Sequence, residues 1–290
     1  MSRLSSLADA AAALRYLVPP PELADYFGAS YLFTADCPIV ADQTRADFAQ
    51  IRFMLAGVGQ YTFGDGRQVA TPECCLLGPT STALSFNVTG PMQVFGVTVL
   101  PLGWAALRAG DADGAADNAL DLAVLFGADW HDMLLLLRAT DDAASAADLL
   151  WAFLQTRLHP ISDADRLFVQ ATDRWLADER SPRVEALQEA TGLSARQLAR
   201  WCNRLYGAPP KYLARKYRAL RCAQELAREE LDWADVSADA FYDQSHFIRE
   251  LKHFTGLTPT ELRERASVVT RLSMNRAEIK GEIARLSRIS

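Results

Sequence analysis

Two short stretches of the chain carry residue types that read nucleic acid. In the first, VEALQEATGLSARQLARWCNRLYG, a helix ends at Gly192 and Ser194 starts the next, whose first turns offer Ser194, Arg196, Gln197 and Arg200. Arg pairs with guanine through two parallel hydrogen bonds, Gln does the same with adenine, and Ser bonds phosphate or either base. Leu193, Leu198 and Leu205 fall on the opposite, buried face. In the second stretch, WADVSADAFYDQSHFIRELKHFTGLTPTELR, the outward set is Asp243, Gln244, Ser245, His246, Arg249 and Lys252, with Phe247, Leu251 and Phe254 as the core stripe. Asp243 is an acid facing a polyanion, so its better role is helix N-cap. His246 either touches a base or caps and packs, and Arg249 either reads a base or pairs with Asp243 or Glu250.

Charge points the same way. Residues 1–160 carry 8 Arg, no Lys and 17 acids, whereas 161–290 carry 22 Lys plus Arg and 19 acids. From Ala190 to Gln224 there is no acid and there are eight bases, among them Lys211, Arg215 and Arg218, which are expected to face phosphates. An acidic half joined to a half with a basic segment suggests a polyanionic partner; a solvated face is the plain alternative.

Other chemistries find less support. Residues 1–130 contain no histidine, which excludes a His-based metal site there on ligand count. Cys74 and Cys75 are adjacent and point to opposite faces of a strand, so buried thiols are expected, as for Cys37, Cys202 and Cys222. Ser81 and Ser85 have no nearby His, and GDGRQ reads as a hairpin, not a phosphate-cradling loop. No catalytic residue, metal or cofactor is expected. With no membrane span and no signal peptide in view, the expected compartment is the cytoplasm.

The elements that must position these residues follow from period and punctuation. Residues 1–30 read as a helix stopped by Pro19-Pro20-Pro21. From Tyr31 to Leu100 the runs IRFMLAG, QYTF, RQVA, CCLL, ALSFNV and QVFGVTVL recur between turn residues, which suggests a small antiparallel barrel or sandwich. Phe53, Tyr61, Phe63, Phe86, Phe95 and Trp104 either line a pocket in it or simply form its core. Residues 101–160 change to helical spacing, giving two or three packed helices. His159-Pro160-Ile161-Ser162 marks the boundary, and beyond it everything is helical: Ser181-Pro182 opens one helix, Lys211 to about Glu230 forms a long one, and Gly256-Leu257-Thr258-Pro259 introduces a short one. The tail, 268–290, reads as an amphipathic helix through Val269, Leu272, Ile279, Ile283 and Leu286.

The two stretches form an internal duplication. GAPPKYL follows the first reading helix and GLTPTEL the second, and Ser194 and Ser245 lie 51 residues apart. The helix between them, at ~1.5 Å per residue, spans ~30 Å, close to the ~34 Å between successive major grooves on one face of a duplex.

DQSHFIRELKHFTGLTP, with GLSARQLARWCNRLYGAPPKYL before it, resembles the DNA-binding domain of the AraC/XylS transcriptional regulators over about residues 163–265. The resemblance implies a seven-helix domain with two helix-turn-helix motifs in the major groove. More loosely, the GVTVLPLGW run and the helices after it are similar to the cupin-like sensing domains of some members. The chain departs from the family at Gln188 and Ser237, where a small alanine is usual, and at Cys202, where a core aromatic is usual. It also departs at Ala240-Phe241, where the second motif lacks its turn glycine, a change that costs about 1 kcal/mol or reshapes the turn.

The expected protein is α+β. A cupin-like β-barrel with packed helices spans 1–160 and senses or dimerises, an all-α domain with two helix-turn-helix motifs spans 161–267, and a helical tail spans 268–290. Its expected partners are double-stranded DNA, a small-molecule effector and a second copy of the chain, with no membrane. Two other readings stay open: a cofactor-free barrel enzyme with a helical partner module, and a degenerate regulator acting by protein contacts.

Overall fold

A computed structural model describes residues 12–178, 181–227, 243–264, 268–270, 279 and 283–289. The first part is built on one antiparallel sheet: β1 (Ala12–Leu17), β2 (Phe27–Ala35), β3 (Ile39–Thr44), β4 (Ala49–Thr62), β5 (Gln68–Ala70), β6 (Cys74–Leu77), β7 (Leu84–Val99) and β8 (Ala119–Asp121). The strand order is β1-β2-β7-β4-β6-β8, with β3 also on β7 and β5 also on β4.

The sheet is not the closed barrel expected from the sequence. β1 and β8 end the row and do not pair with each other. IRFMLAG and QYTF belong to one strand of 14 residues, and ALSFNV and QVFGVTVL to one of 16. The glycines between them, which read as turns, instead lie inside long strands that pair with each other from Ala49↔Val99 to Thr62↔Ser85. Fewer chain reversals leave the sheet open. The N-terminal helix is corrected as well: Ala12–Leu17 is a strand on β2, with Tyr16 opposite Tyr31, and residues 1–11 lie outside the described ones. The hairpin at 63–67 is as expected, with Gly66 at φ 83° and Phe63 N–H donating to the Arg67 carbonyl at 3.0 Å.

Each sheet face is buried differently, following strand alternation. Ile51, Phe53, Cys74, Phe95 and Val97 pack on the helices after the sheet, where Trp130, Leu134, Leu150 and Trp151 complete the cluster. These helices are α1 (Pro101–Leu107), α2 (Ala112–Ala115), α3 (Leu122–Phe126), α4 (Asp129–Arg138) and α5 (Ala143–Gln155). Met54, Tyr61, Cys75, Phe86 and Val88 face the other way. Cys74 and Cys75 therefore do point to opposite faces, and all five cysteines are buried.

The second part is helical: α6 (Asp163–Asp178), α7 (Val184–Thr191), α8 (Ala195–Tyr206), α9 (Pro210–Ala227), α10 (Gln244–Thr255), α11 (Pro259–Glu264) and α12 (Arg285–Ile289). Helix α7 starts after Arg183, not at Ser181-Pro182. The missing turn glycine at Ala240-Phe241, Ser237 and the first helix of the second motif fall outside the described residues, as does Leu272 of the tail. Val269, Ile283 and Leu286 are buried. One apolar cluster joins the two parts, with Ala46, Phe48, Leu100 and Leu102 against Trp175, Leu198, Tyr217 and Phe254. No helix of the described residues is long and apolar enough to cross a membrane.

Candidate nucleic-acid interface

The first motif is assembled by local rules. Helix α7 ends at Gly192, whose φ of 66° suits a residue without a side chain. Two residues later Ser194 caps α8: its hydroxyl oxygen accepts from Gln197 N–H, and Gln197 Oε1 accepts from Ser194 N–H at 3.0 Å. This reciprocal capping box satisfies two otherwise orphaned donors. Leu198, Cys202 and Leu205 are buried, while Ser194, Arg196, Gln197 and Arg200 are exposed on the outer face. Ser194 Oγ also donates to Gln197 Oε1 at 2.7 Å. A two-bond contact from Gln197 to adenine uses that same Oε1, so it requires the box to open.

The second reading helix, α10, begins at Asp243, whose carboxylate accepts from His246 N–H at 2.8 Å, the capping role expected of it. Phe247, Leu251 and Phe254 are fully buried; anchoring of this size stabilises by roughly 1.5–3 kcal/mol per side chain. Gln244, Ser245, Arg249 and Lys252 are exposed and His246 is half-buried.

The cations of the long helix sort into different kinds. Lys211 is exposed. Arg215 forms a fork with Glu250 of α10, Nε to Oε2 at 2.9 Å and Nη2 to Oε1 at 2.7 Å. Burial would raise the Glu250 carboxyl, but the Arg215 guanidinium overrides it and holds it below its ordinary range. Arg218 is half-buried, with Nη1 3.4 Å from Ser181 Oγ. Arg204 pairs with Asp165 of α6. Among the described residues, Arg196, Arg200, Lys211, Arg249 and Lys252 form no ion pair.

Sequence reasoning missed Lys216 as more than a surface base. It is buried, and its Nζ donates to the Asp47 carbonyl at 2.8 Å and the Thr80 carbonyl at 2.9 Å, both in the sheet part. Burial pushes its amine down to about 8, against the pull of Asp47 and Asp117. The available signal was its place on the stripe of Leu213, Tyr217 and Leu220, at helical spacing. Two further ties fix α10 to the sheet part: Ala46 N–H donates to the Phe254 carbonyl at 2.7 Å, and Ala83 N–H to the His253 carbonyl at 3.3 Å. Tyr212 OH donates to the Ser81 carbonyl at 2.8 Å and meets His253 Nε2 at 2.9 Å.

The sheet face turned away from α4 and α5 holds a cavity of about 80 Å³. Of the aromatics expected at a pocket, Tyr61 and Phe86 line it. Phe53 and Phe95 face the helices, Phe63 is core, and Trp104 borders a separate polar cleft with Arg204 and Asp165. Tyr31 reaches the cavity because its cross-strand partner is Gly96, where a Cβ would come within 2.4 Å of the ring. Among the described residues no group of three or more His, Cys, Asp or Glu is arranged to hold a metal ion.

A family model described as a helix-turn-helix domain matches residues 187–265. No curated protein matches the chain. Among solved structures, unsaturated fatty acid bound wild-type ToxT from Vibrio cholerae is similar at 12% identity, covering 87% of this chain and 94% of that one with a TM-score of 0.45. A second ToxT structure from Vibrio cholerae aligns at 10% identity over 87% and 97% of the two chains, TM-score 0.46. The AraC-like transcriptional activator CuxR aligns at 16% identity over 75% and 83%, TM-score 0.34. The chain carries a C-terminal helix-turn-helix domain over residues 187–265.

Proposed function

We propose that the chain is a sequence-specific transcription regulator that lays α8 and α10 in successive major grooves of duplex DNA, and that its sheet part responds to a small molecule. The observation that carries the reading is the sorting of cations. Arg204, Arg215 and Lys216 are held by Asp165, Glu250 and two carbonyls, whereas Arg196, Arg200, Arg249, Lys211 and Lys252 stay exposed without an ion pair among the described residues. Arg196, Gln197 and Arg200 supply the first set of base contacts, and Gln244, Ser245 and Arg249 the second. Lys211 and Lys252 face phosphates. Arg215 acts by positioning α10.

A gel shift on the chain's own promoter DNA at several salt concentrations tests this. Each phosphate contact contributes about 0.9 to the slope of log affinity against log salt, so affinity falls steeply with salt. Arg196→Ala with Arg200→Ala removes the specific shift and leaves a weaker, salt-sensitive one. A silent Arg249→Ala favours the degenerate reading, in which α10 makes protein contacts instead. No specific shift from the wild-type chain overturns the proposal.

A further inference from the structure

The two reading helices end alike, and both ends rest on the sheet part. Gly207 closes α8 and Gly256 closes α10, at φ 79° and 78°. A Cβ on Gly207 would come within 2.6 Å of Pro79 Cγ and 3.2 Å of the Ala112 carbonyl oxygen. A Cβ on Gly256 would collide with the side-chain amide of Gln43. The last carbonyls of a helix have no partner inside it. In α10 two of them are satisfied from the sheet part: the His253 carbonyl accepts from Ala83 N–H at 3.3 Å and the Phe254 carbonyl from Ala46 N–H at 2.7 Å.

Between these two feet the same sheet segments hold α9. Lys216 Nζ donates to the Asp47 and Thr80 carbonyls at 2.8 and 2.9 Å, and Tyr212 OH to the Ser81 carbonyl at 2.8 Å. Apart from Ala112, every sheet-part atom in these contacts lies within 43–47 or 79–83. The two segments are bonded to each other: Asp47 N–H donates to Thr80 Oγ1 at 2.8 Å, and Thr80 N–H to the Asp47 carbonyl at 3.2 Å. They form one platform under α8, α9 and α10.

A connecting rod fixes how far apart two helices stand, but each can still swing about its joint. Recognition needs its groups held to within about 0.5 Å and about 10–20°. Seating both feet on a third body removes that freedom. Each reading helix has 12 residues, ~18 Å at ~1.5 Å per residue, and its exposed first turn is the end away from the platform.

We propose that the platform of 43–47 and 79–83 is a spacing gauge. It sets the separation and twist of α8 against α10, and so the number of base pairs required between the two blocks they read. Lys216 and Tyr212 are its positioning residues and act through the helices, not on DNA. The inference rests on the reading that α8 and α10 bind one duplex, and it names what fixes their register.

Gel shifts of the full chain test it, on duplexes that keep the two blocks enriched by the wild type and change the spacer between them by one or two base pairs. The wild type is expected to bind off-length spacers about tenfold more weakly. Lys216→Met and Tyr212→Phe reduce that discrimination to about threefold or less, while a base change inside either block costs them as much as it costs the wild type. A substitution that only destabilises the fold weakens binding to every spacer alike and leaves the ratios unchanged. Tyr212→Phe, which loses one hydroxyl, carries the test should Lys216→Met fail to fold. Wild-type spacer ratios in the folded variants, or equal binding of all spacers by the wild type, overturn the inference. A strict spacer in wild type and variants alike contradicts the gauge alone, whereas a wild type that enriches one block or none contradicts the regulator reading.

Discussion

Arg215 on the long helix grips Glu250 on the second reading helix with both Nε and Nη2, at 2.9 and 2.7 Å. The fork joins the rod to the element it must aim. Arg215→Met is expected to destabilise the protein by about 1–3 kcal/mol, because the buried Glu250 carboxylate loses its partner. Glu250 titrates below its ordinary 4.5, so the contribution is present above about pH 4.5 and is lost as pH falls through the folded-state value. Urea unfolding of Arg215→Met, Glu250→Gln and the double variant at pH 7 and pH 4 measures it. Additive effects of the two substitutions would contradict the coupling.

Lys216 ties α9 to the sheet part through the Asp47 and Thr80 carbonyls. Lys216→Met keeps the stem's packing and leaves both acceptors without that donor, at a cost of about 1–3 kcal/mol. The amine titrates at about 8 when folded against 10.5 ordinarily. Between these values the unfolded chain binds more protons, so this group makes stability rise with pH over that window. Lys216→Met flattens the rise. An identical pH profile for wild type and variant between 8 and 10.5 would show that the amine is not desolvated.

The Asp173 carboxyl on α6 accepts from the Tyr206 hydroxyl of α8 at 2.6 Å, and burial pushes it up to about 7 from 3.8. Here the folded state binds the extra proton, so the contribution to stability falls as pH rises from about 4 to about 7. Asp173→Asn removes that slope while still accepting from Tyr206. Denaturant midpoints at pH 5 and pH 7.5 check it; a slope that survives in the variant belongs to another group.

Ser194→Ala removes a cap and is expected to lower stability by about 1 kcal/mol. Gln197 reaches adenine only by leaving the capping box, and the same substitution removes one of the two hydrogen bonds that hold its Oε1, keeping the one from the residue-194 N–H. Thermal unfolding and binding to selected DNA, measured on one preparation, are expected to move in opposite directions at the base pair that Gln197 reads. A parallel loss of both argues that the capped geometry is the one that binds.

The first motif was legible because its signals are local. Gly192, Ser194 and Gln197 sit within six residues, and the apolar stripe of α8 repeats at helical spacing. Strand alternation also placed Cys74 and Cys75 correctly. What escaped was long-range. Ala12–Leu17 has helical composition, and pairing with β2 overrides it. Gly57, Gly59 and Gly90-Pro91 read as turns but lie within β4 and β7, which turned an open sheet into an expected barrel. Lys216 looks like an ordinary base until the sheet part and α9 enclose it.

In the proposed function α8 and α10 read one duplex together. Selection of bound sequences from a random duplex pool by the full chain tests it most directly. Enrichment of two short blocks about one helical turn, roughly 10 base pairs, apart is expected, with Arg196→Ala and Arg249→Ala each relaxing a different block. A single enriched block that responds to only one of these substitutions, or no enrichment at all, would contradict it.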